Sequence, residues 1–393
     1  MKYDFDRLYD RASSDSLKWA NRAERCGSED AIPLWVADMD FACPPEVAAA
    51  VRERAAHPIY GYPIRSDAYY QAVIGWMKRR NGWDIAKEWI CYSPGVVPAL
   101  NFAVQGVSNP GDKIIIQPPG YHPFVSATLC NGRQLVENEL VLDGGRYVMD
   151  YGALERSIDG RAKAIIVCSP HNPVGRVWEK AELERLVDIC HRRGIVIISD
   201  EIHSDLILGD IRHTPIASLS EKAAAITITL TAPNKTFNMA GLTMGNAIIS
   251  DKKLRDAFQN AVEASGIGVS NVFGNVALEA AYNEGEAWLE ELLVYLRGNF
   301  GFVSDYIAEK LPELSIFPLE GSYLGWIDCR KLGLSDAGLK EFFTKKARIW
   351  LDEGTKFGSG GSGFMRINLA CPRSYLAEAL LRMEKALEER RKG

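Results

Sequence analysis

No apolar stretch in this chain of 393 residues approaches the roughly 20 needed to cross a bilayer. The opening Met1-Lys2-Tyr3-Asp4-Phe5-Asp6-Arg7 lacks the apolar core of a secretory signal. A cytoplasmic protein with no membrane partner is expected. The eight cysteines (26, 43, 91, 130, 168, 190, 329, 371) form no C-x-x-C pair. Several sit in apolar runs such as Ile165-Ile166-Val167-Cys168, where a buried thiol behaves as a small hydrophobe. Structural disulfides and a zinc site are therefore not expected, and no metal is assigned. An excess of positive charge is also missing, since the formal net charge is −5. The cluster Arg390-Arg391-Lys392 reads as the solvated end of a last helix, which discounts nucleic acid as a partner. There is no internal repeat, and 47% hydrophobic with 25% charged residues excludes the disordered and fibrous classes.

What is present is an alternation. Between residues 90 and 250 short β-rich runs (Lys113-Ile114-Ile115-Ile116, Ala164 to Cys168, Ile195 to Ser199, Ile226 to Leu230, Ala247-Ile248-Ile249) are separated by helical patterns. Most runs lack polar alternation, as strands buried on both faces of a mainly parallel sheet do. In 178–193, Leu183, Leu186, Val187 and Cys190 recur at helical spacing. The fold class is α/β, with helices covering the sheet and ligands gathering beyond the carboxyl ends of its strands. A smaller unit begins near the charged helical stretch 284–310 and ends with a helix over 373–392, and the Gly-rich segment Gly354 to Gly363 reads as a long turn within it.

One lysine stands out. Thr231-Ala232-Pro233-Asn234-Lys235-Thr236-Phe237-Asn238-Met239-Ala240-Gly241-Leu242 places Lys235 alone in an uncharged segment after an apolar run. In a low-dielectric pocket its ammonium form is penalised, so the neutral amine becomes able to form a Schiff base with an aldehyde. That is the chemistry of pyridoxal 5'-phosphate (PLP). Nearly all lysines are solvated charges, so this reading depends on companions, and each has a bland alternative. Asp200 follows a buried strand, where an unpaired carboxylate is costly; it suits a protonated pyridine nitrogen, or a helix cap or salt bridge. Asn172, in Cys168-Ser169-Pro170-His171-Asn172-Pro173, is a donor for the phenolic oxygen or a turn residue before proline. Ser93-Pro94-Gly95-Val96-Val97 precedes a helix whose free N–H groups suit a phosphate, though it is also an everyday turn. Tyr121, after Pro118-Pro119-Gly120, would stack on a ring with Ile202 beneath it, or belong to the core.

The strings Leu34-Trp35-Val36-Ala37-Asp38-Met39-Asp40-Phe41, Tyr60-Gly61-Tyr62-Pro63, S-P-H-N-P-V-G, Ser199-Asp200-Glu201-Ile202-His203, T-A-P-N-K-T-F-N-M-A-G-L and Phe364-Met365-Arg366-Ile367-Asn368-Leu369-Ala370-Cys371-Pro372-Arg373 resemble the MalY/PatB group of cystathionine β-lyases. That group lies in the class I/II aminotransferase superfamily of fold-type I PLP enzymes, and the likeness runs from about residue 5 to 390. It implies a fold-type I PLP-dependent transferase fold: an N-terminal segment 1–45 joining the small domain, a large PLP-binding domain over 46–285 and a C-terminal small domain over 286–393. By position it implies that Lys235 is the Schiff-base lysine, Asp200 the pyridinium partner, Asn172 the O3′ partner and Tyr121 the stacking ring. Gly95, Val96 and Val97 match the phosphate turn, and Arg366 the clamp on the substrate α-carboxylate, with Ala37, Tyr121 and Asn172 on the substrate side. A planar guanidinium suits that role because it binds a carboxylate bidentately. Tyr62 matches a tyrosine that reaches the neighbouring subunit's phosphate, which implies a homodimer with shared active sites.

Departures from the wider superfamily stand out. Thr243 replaces a phosphate-binding arginine and Ala232 a phosphate-binding serine, so the phosphate is expected to lean on backbone N–H groups, Thr231, Asn234 and Tyr62. His203 stands where aminotransferases place a tyrosine that bonds O3′; it is counted with the cofactor residues, its role open. The activity implied is α,β-elimination from L-cystathionine or a related L-cysteine S-conjugate. The alternatives are transamination and, in another class, a regulatory protein-binding role such as one member of the group also has. Trp35, Tyr60 and Trp350 are candidates for lining the leaving-group pocket.

Overall fold

The computed structural model describes residues 2–392. Seven strands form the main sheet: β1 (Ile90–Ser93), β2 (Lys113–Ile116), β3 (Gln134–Glu137), β4 (Ala162–Cys168), β5 (Val196–Asp200), β6 (Thr227–Thr231) and β7 (Gly245–Ile248). Their spatial order is β1-β7-β6-β5-β4-β2-β3. Neighbours are parallel except at β7, which runs antiparallel to both β1 and β6. The unbroken apolar runs follow from burial on both faces. Ile114, Ile116, Ile166 and Ile198 join one core with helix α1 (Val96–Val107), while Ile115, Ile165, Val167 and Ile197 pack into another with helix α2 (Lys180–Arg193). Helix α2 starts on a capping box of Glu179 and Glu182 and stops at Gly194, whose φ of 66° is one that glycine adopts without strain.

A second, antiparallel sheet is built from β8 (Ser315–Ile316), β9 (Leu324–Asp328), β10 (Asp352–Glu353) and β11 (Phe364–Asn368), in the order β8-β9-β11-β10. Helices α3 (Glu286–Lys310) and α4 (Arg373–Lys392) share its apolar core through residues such as Leu296, Val303, Leu380 and Met383. The Gly-rich segment is more ordered than a plain turn. It opens with a 3₁₀ turn, Gly354–Phe357, and a Cβ on Gly354 would lie 2.1 Å from the Gly361 carbonyl oxygen, so two backbones pack where no side chain fits.

The N-terminal segment ties the two sheets together. Ile32–Pro33 pairs with Ile349–Trp350, and the Asn368 N–H donates to the Leu34 carbonyl at 2.8 Å. Further along, Asn238 donates to the carbonyls of Met39 (3.1 Å) and Phe41 (2.6 Å) and accepts from the Met39 N–H. Asn238 holds a φ of 51°, a left-handed conformation that asparagine tolerates better than most residues. Beneath the strap Lys18 is fully buried, its Nζ 2.6 Å from Asp40 Oδ2, while Arg11 and Trp19 reach Asp40 Oδ1 at 2.7 Å each. No helix among the described residues is long and apolar enough to cross a membrane.

Candidate active site

The carboxyl ends of β4, β5 and β6 open onto one cavity of about 210 Å³. Lys235, on the turn after β6, reaches into it and donates from Nζ to the Ala37 carbonyl at 2.5 Å. Burial lowers its pKa to about 8; Asp38 and Asp200 oppose that shift, and Arg366 adds to it. The amine therefore loses its proton far more readily than a solvated lysine, although the ammonium form still predominates at physiological pH.

Asp200, the last residue of β5, presents a carboxylate to the same space. Its Oδ1 accepts from the Ile202 N–H at 3.2 Å, and among the described residues no basic side chain forms an ion pair with it. Burial pushes its pKa up to about 7, against the smaller effect of that hydrogen bond and of Lys235. A buried carboxylate without a cation is costly, and a cationic ligand atom would remove that cost.

Around this pair lie Tyr121, Ile202, His203 and Asn234. His203 is buried, with Nδ1 unpartnered, and burial first, then Lys235 and Arg366, lower its pKa to about 3, so the ring is neutral. Gly95, Val96 and Val97 line the far wall at the start of α1, where no side chain caps the helix and the N–H groups of Val96 and Val97 are free for an anion. A Cβ on Gly245 would sit 3.1 Å from Gly95 Cα, so β7 presses directly on this turn.

Arg366 is fully buried in the middle of the small sheet. It donates to Asn172 Oδ1 (3.0 Å), the Trp35 carbonyl (2.7 Å) and Asp352 Oδ2 (2.7 Å). Because the Asn172 oxygen is occupied by the guanidinium, its amide nitrogen remains for the cavity.

Several residues fall elsewhere than the sequence suggested. Thr231 is buried, with the Tyr282 hydroxyl against its side chain, and does not line the cavity. Trp35 and Trp350 stack on each other at 4.5 Å, outside the cavity, and Tyr60 packs near Phe273. Tyr62 is 94% exposed, far from the core position that its aromatic character alone suggests. Arg366, which unaided reads as an edge-strand surface residue, lies between β9 and β10. Sequence reasoning passed over Cys168, which lines the cavity floor; its place at the end of β4, paired in register with Asp200, is the signal that could have found it.

A buried amine whose pKa is lowered, a buried carboxylate lacking its cation and an uncapped helix N-terminus suit an aldehyde, a protonated ring nitrogen and a phosphate respectively. On a sheet of this order they define a fold-type I PLP-dependent enzyme. Comparison with known proteins agrees and goes further. Residues 29–383 match the family "Aminotransferase class I and II". The cystathionine β-lyase PatB of Bacillus subtilis is 42% identical, covering 98% of this chain and 99% of its own length, and Protein MalY of Escherichia coli is 31% identical over 96% and 97%. Cystalysin of Treponema denticola, whose crystal structure contains pyridoxal 5'-phosphate, superposes with a TM-score of 0.96 at 40% identity, covering 99% of this chain and all of that one. The chain belongs to the class I and II aminotransferase family and, within it, to the MalY/PatB group of carbon–sulfur lyases.

Proposed function

We propose that this protein is a PLP-dependent β-lyase that cleaves L-cystathionine or a related L-cysteine S-conjugate to a thiol, pyruvate and ammonia. The observation that carries the reading is the juxtaposition, in one cavity, of Lys235, whose pKa burial lowers to about 8, with the Asp200 carboxylate that no basic side chain among the described residues pairs, in a chain 42% identical to a cystathionine β-lyase along nearly its whole length. When bound, PLP supplies an electron sink for the charge that develops at the substrate Cα.

The protein's own groups do the rest. Val96 and Val97 offer backbone N–H groups to the phosphate, with Gly95 leaving room for it and Asn234 beside them. Asp200 would pair with the ring nitrogen and favour its protonated form, and Tyr121 and Ile202 would hold the ring. Asn172 Nδ2 would donate to the ring oxygen, and the neutral His203 adds no competing positive charge there. Arg366 takes the α-carboxylate, which fixes the Cα–H bond toward the amine side of the cavity. Lys235 Nζ, its pKa lowered by burial, would be the base that accepts the Cα proton, with the thiolate leaving from Cβ.

The protein acts as a homodimer with shared sites. Ile59 (68%), Tyr62 (94%) and Ile64 (83%) are exposed together in an extended stretch, an apolar surface suited to a second copy of the chain. Tyr62 would there complete the partner's phosphate site. We place the large domain over 46–285 and the small one over 286–393, joined by 1–45, in a protein of the cytoplasm.

The deciding test is product analysis with L-cystathionine. Pyruvate and homocysteine formed without added keto acid support the lyase reading. A new amino acid that appears only when a keto acid is supplied would replace it with transamination.

A further inference from the structure

The carboxylate end of the cavity has a charge arrangement that extends beyond the residues lining it. Asp352 on β10 is the direct cross-strand partner of Arg366 on β11. A guanidinium has five N–H donors, and three of those of Arg366 are committed to Asn172, Trp35 and Asp352; Nε is buried without a partner. Arg366 and Asp352 alone would be a neutral pair, which gives an arriving carboxylate little net attraction. A third charge changes that. Lys356, four residues after Asp352, places Nζ 2.9 Å from Asp352 Oδ1, the oxygen that Arg366 does not use. The neighbouring carboxylate Glu353 lies farther from Lys356, at 3.9 Å, and is itself paired with Lys340 at 3.0 Å.

Resting on the assignment of Arg366 as the carboxylate clamp, we propose that Lys356 is a positioning residue for substrate recognition that acts through Asp352. By holding one oxygen of Asp352 it keeps the other on Arg366, and by offsetting the Asp352 charge it leaves the trio with one net positive charge facing the substrate's α-carboxylate. Lys356 itself lies outside the cavity and touches neither substrate nor cofactor.

The experiment uses the full-length holoenzyme and the variants Lys356→Met, Lys356→Arg, Asp352→Asn and Asp352→Asn/Lys356→Met. Because the Lys356 side chain is 42% exposed its contribution is solvent-screened, and Lys356→Met is expected to raise KM for L-cystathionine about threefold with kcat within about twofold. The rise should shrink in high salt, and Lys356→Arg should restore wild-type KM. In the Asp352→Asn background the same substitution should change KM less than about twofold, as expected when one residue acts through the other. The cofactor's visible absorption and the Tm should stay at wild-type values. An unchanged KM in Lys356→Met, an effect that persists fully without Asp352, or a parallel loss of Tm and cofactor absorption would each overturn the proposal. Propionate binding, followed through the cofactor's absorption, gives a readout independent of turnover. If the wild type turns over no S-conjugate, the lyase reading fails, yet weaker propionate binding in Lys356→Met would still support the positioning role and equal binding would sink it.

Discussion

Replacing Asp200 with asparagine should make the cofactor-free protein more stable while spoiling the enzyme. Burial raises the Asp200 pKa from 3.8 to about 7. For a carboxyl whose folded pKa lies above its unfolded one, the associated stability is fully present below about pH 4 and is lost as pH climbs through 7. At about 1.4 kcal/mol per tenfold change in proton affinity, the ionised carboxylate costs the cofactor-free fold roughly 4 kcal/mol at pH 8. Asparagine has the same shape, keeps the oxygen that accepts from the Ile202 N–H and carries no charge. Urea unfolding of the two cofactor-free proteins, at one protein concentration, should favour Asp200→Asn by roughly 2 to 4 kcal/mol at pH 8, the lower figure allowing for water in the cavity, and by little near pH 4.5. Adding PLP should reverse the order, since only the wild type gains an ion pair with the ring nitrogen. Equal stabilities at pH 8 would mean that another group of the protein already compensates Asp200, and the argument for a cationic ligand atom would collapse.

Three further outcomes test the rest of the site. Borohydride reduction of the holoenzyme followed by peptide mapping should place the pyridoxyl label on Lys235, the lysine whose pKa burial lowers in the cavity; a label on any other lysine refutes the assignment. Tyr62→Phe should weaken PLP affinity by about 1 kcal/mol or more, the net scale of a hydrogen bond to a charged group. Mixing Lys235→Ala with a severely cofactor-defective Tyr62 variant under subunit exchange should restore some activity, and confirmed heterodimers that stay inactive would count against shared sites.

The large sheet was legible because its strands are buried on both faces, which leaves little room for polar residues and makes each run conspicuous. The chemistry at the strand ends was legible for a related reason: Asp200 and Lys235 are ionisable groups standing where the apolar pattern promises no water. Polar character could not say which way a side chain turns, and so Thr231, on the last residue of β6, went to Tyr282 while Asn234, on the following turn, lines the cavity. The small sheet was harder. The two-residue strand β10 has no periodicity to read, and the register that sets Asp352 opposite Arg366 depends on a long glycine-rich connection. Tyr62 was illegible from composition, because an aromatic residue waiting for a second chain has the same sequence signature as one in the core.

The strap formed by residues 32 to 41 has a mechanical consequence. One end pairs with Ile349 and Trp350 and is tied to the small sheet through Asn368; the other is pinned by Asn238, three residues from Lys235; and between them hangs the Ala37 carbonyl on which the lysine amine rests. Any displacement of one sheet against the other is carried along this ribbon to that carbonyl. A shift of the sheets that widened the cleft would also move the amine's resting acceptor, gearing the two together. A deletion or fusion reaching past Arg11 would disturb that gearing by loosening the ion pairs beneath the strap, even though it removes nothing that lines the cavity.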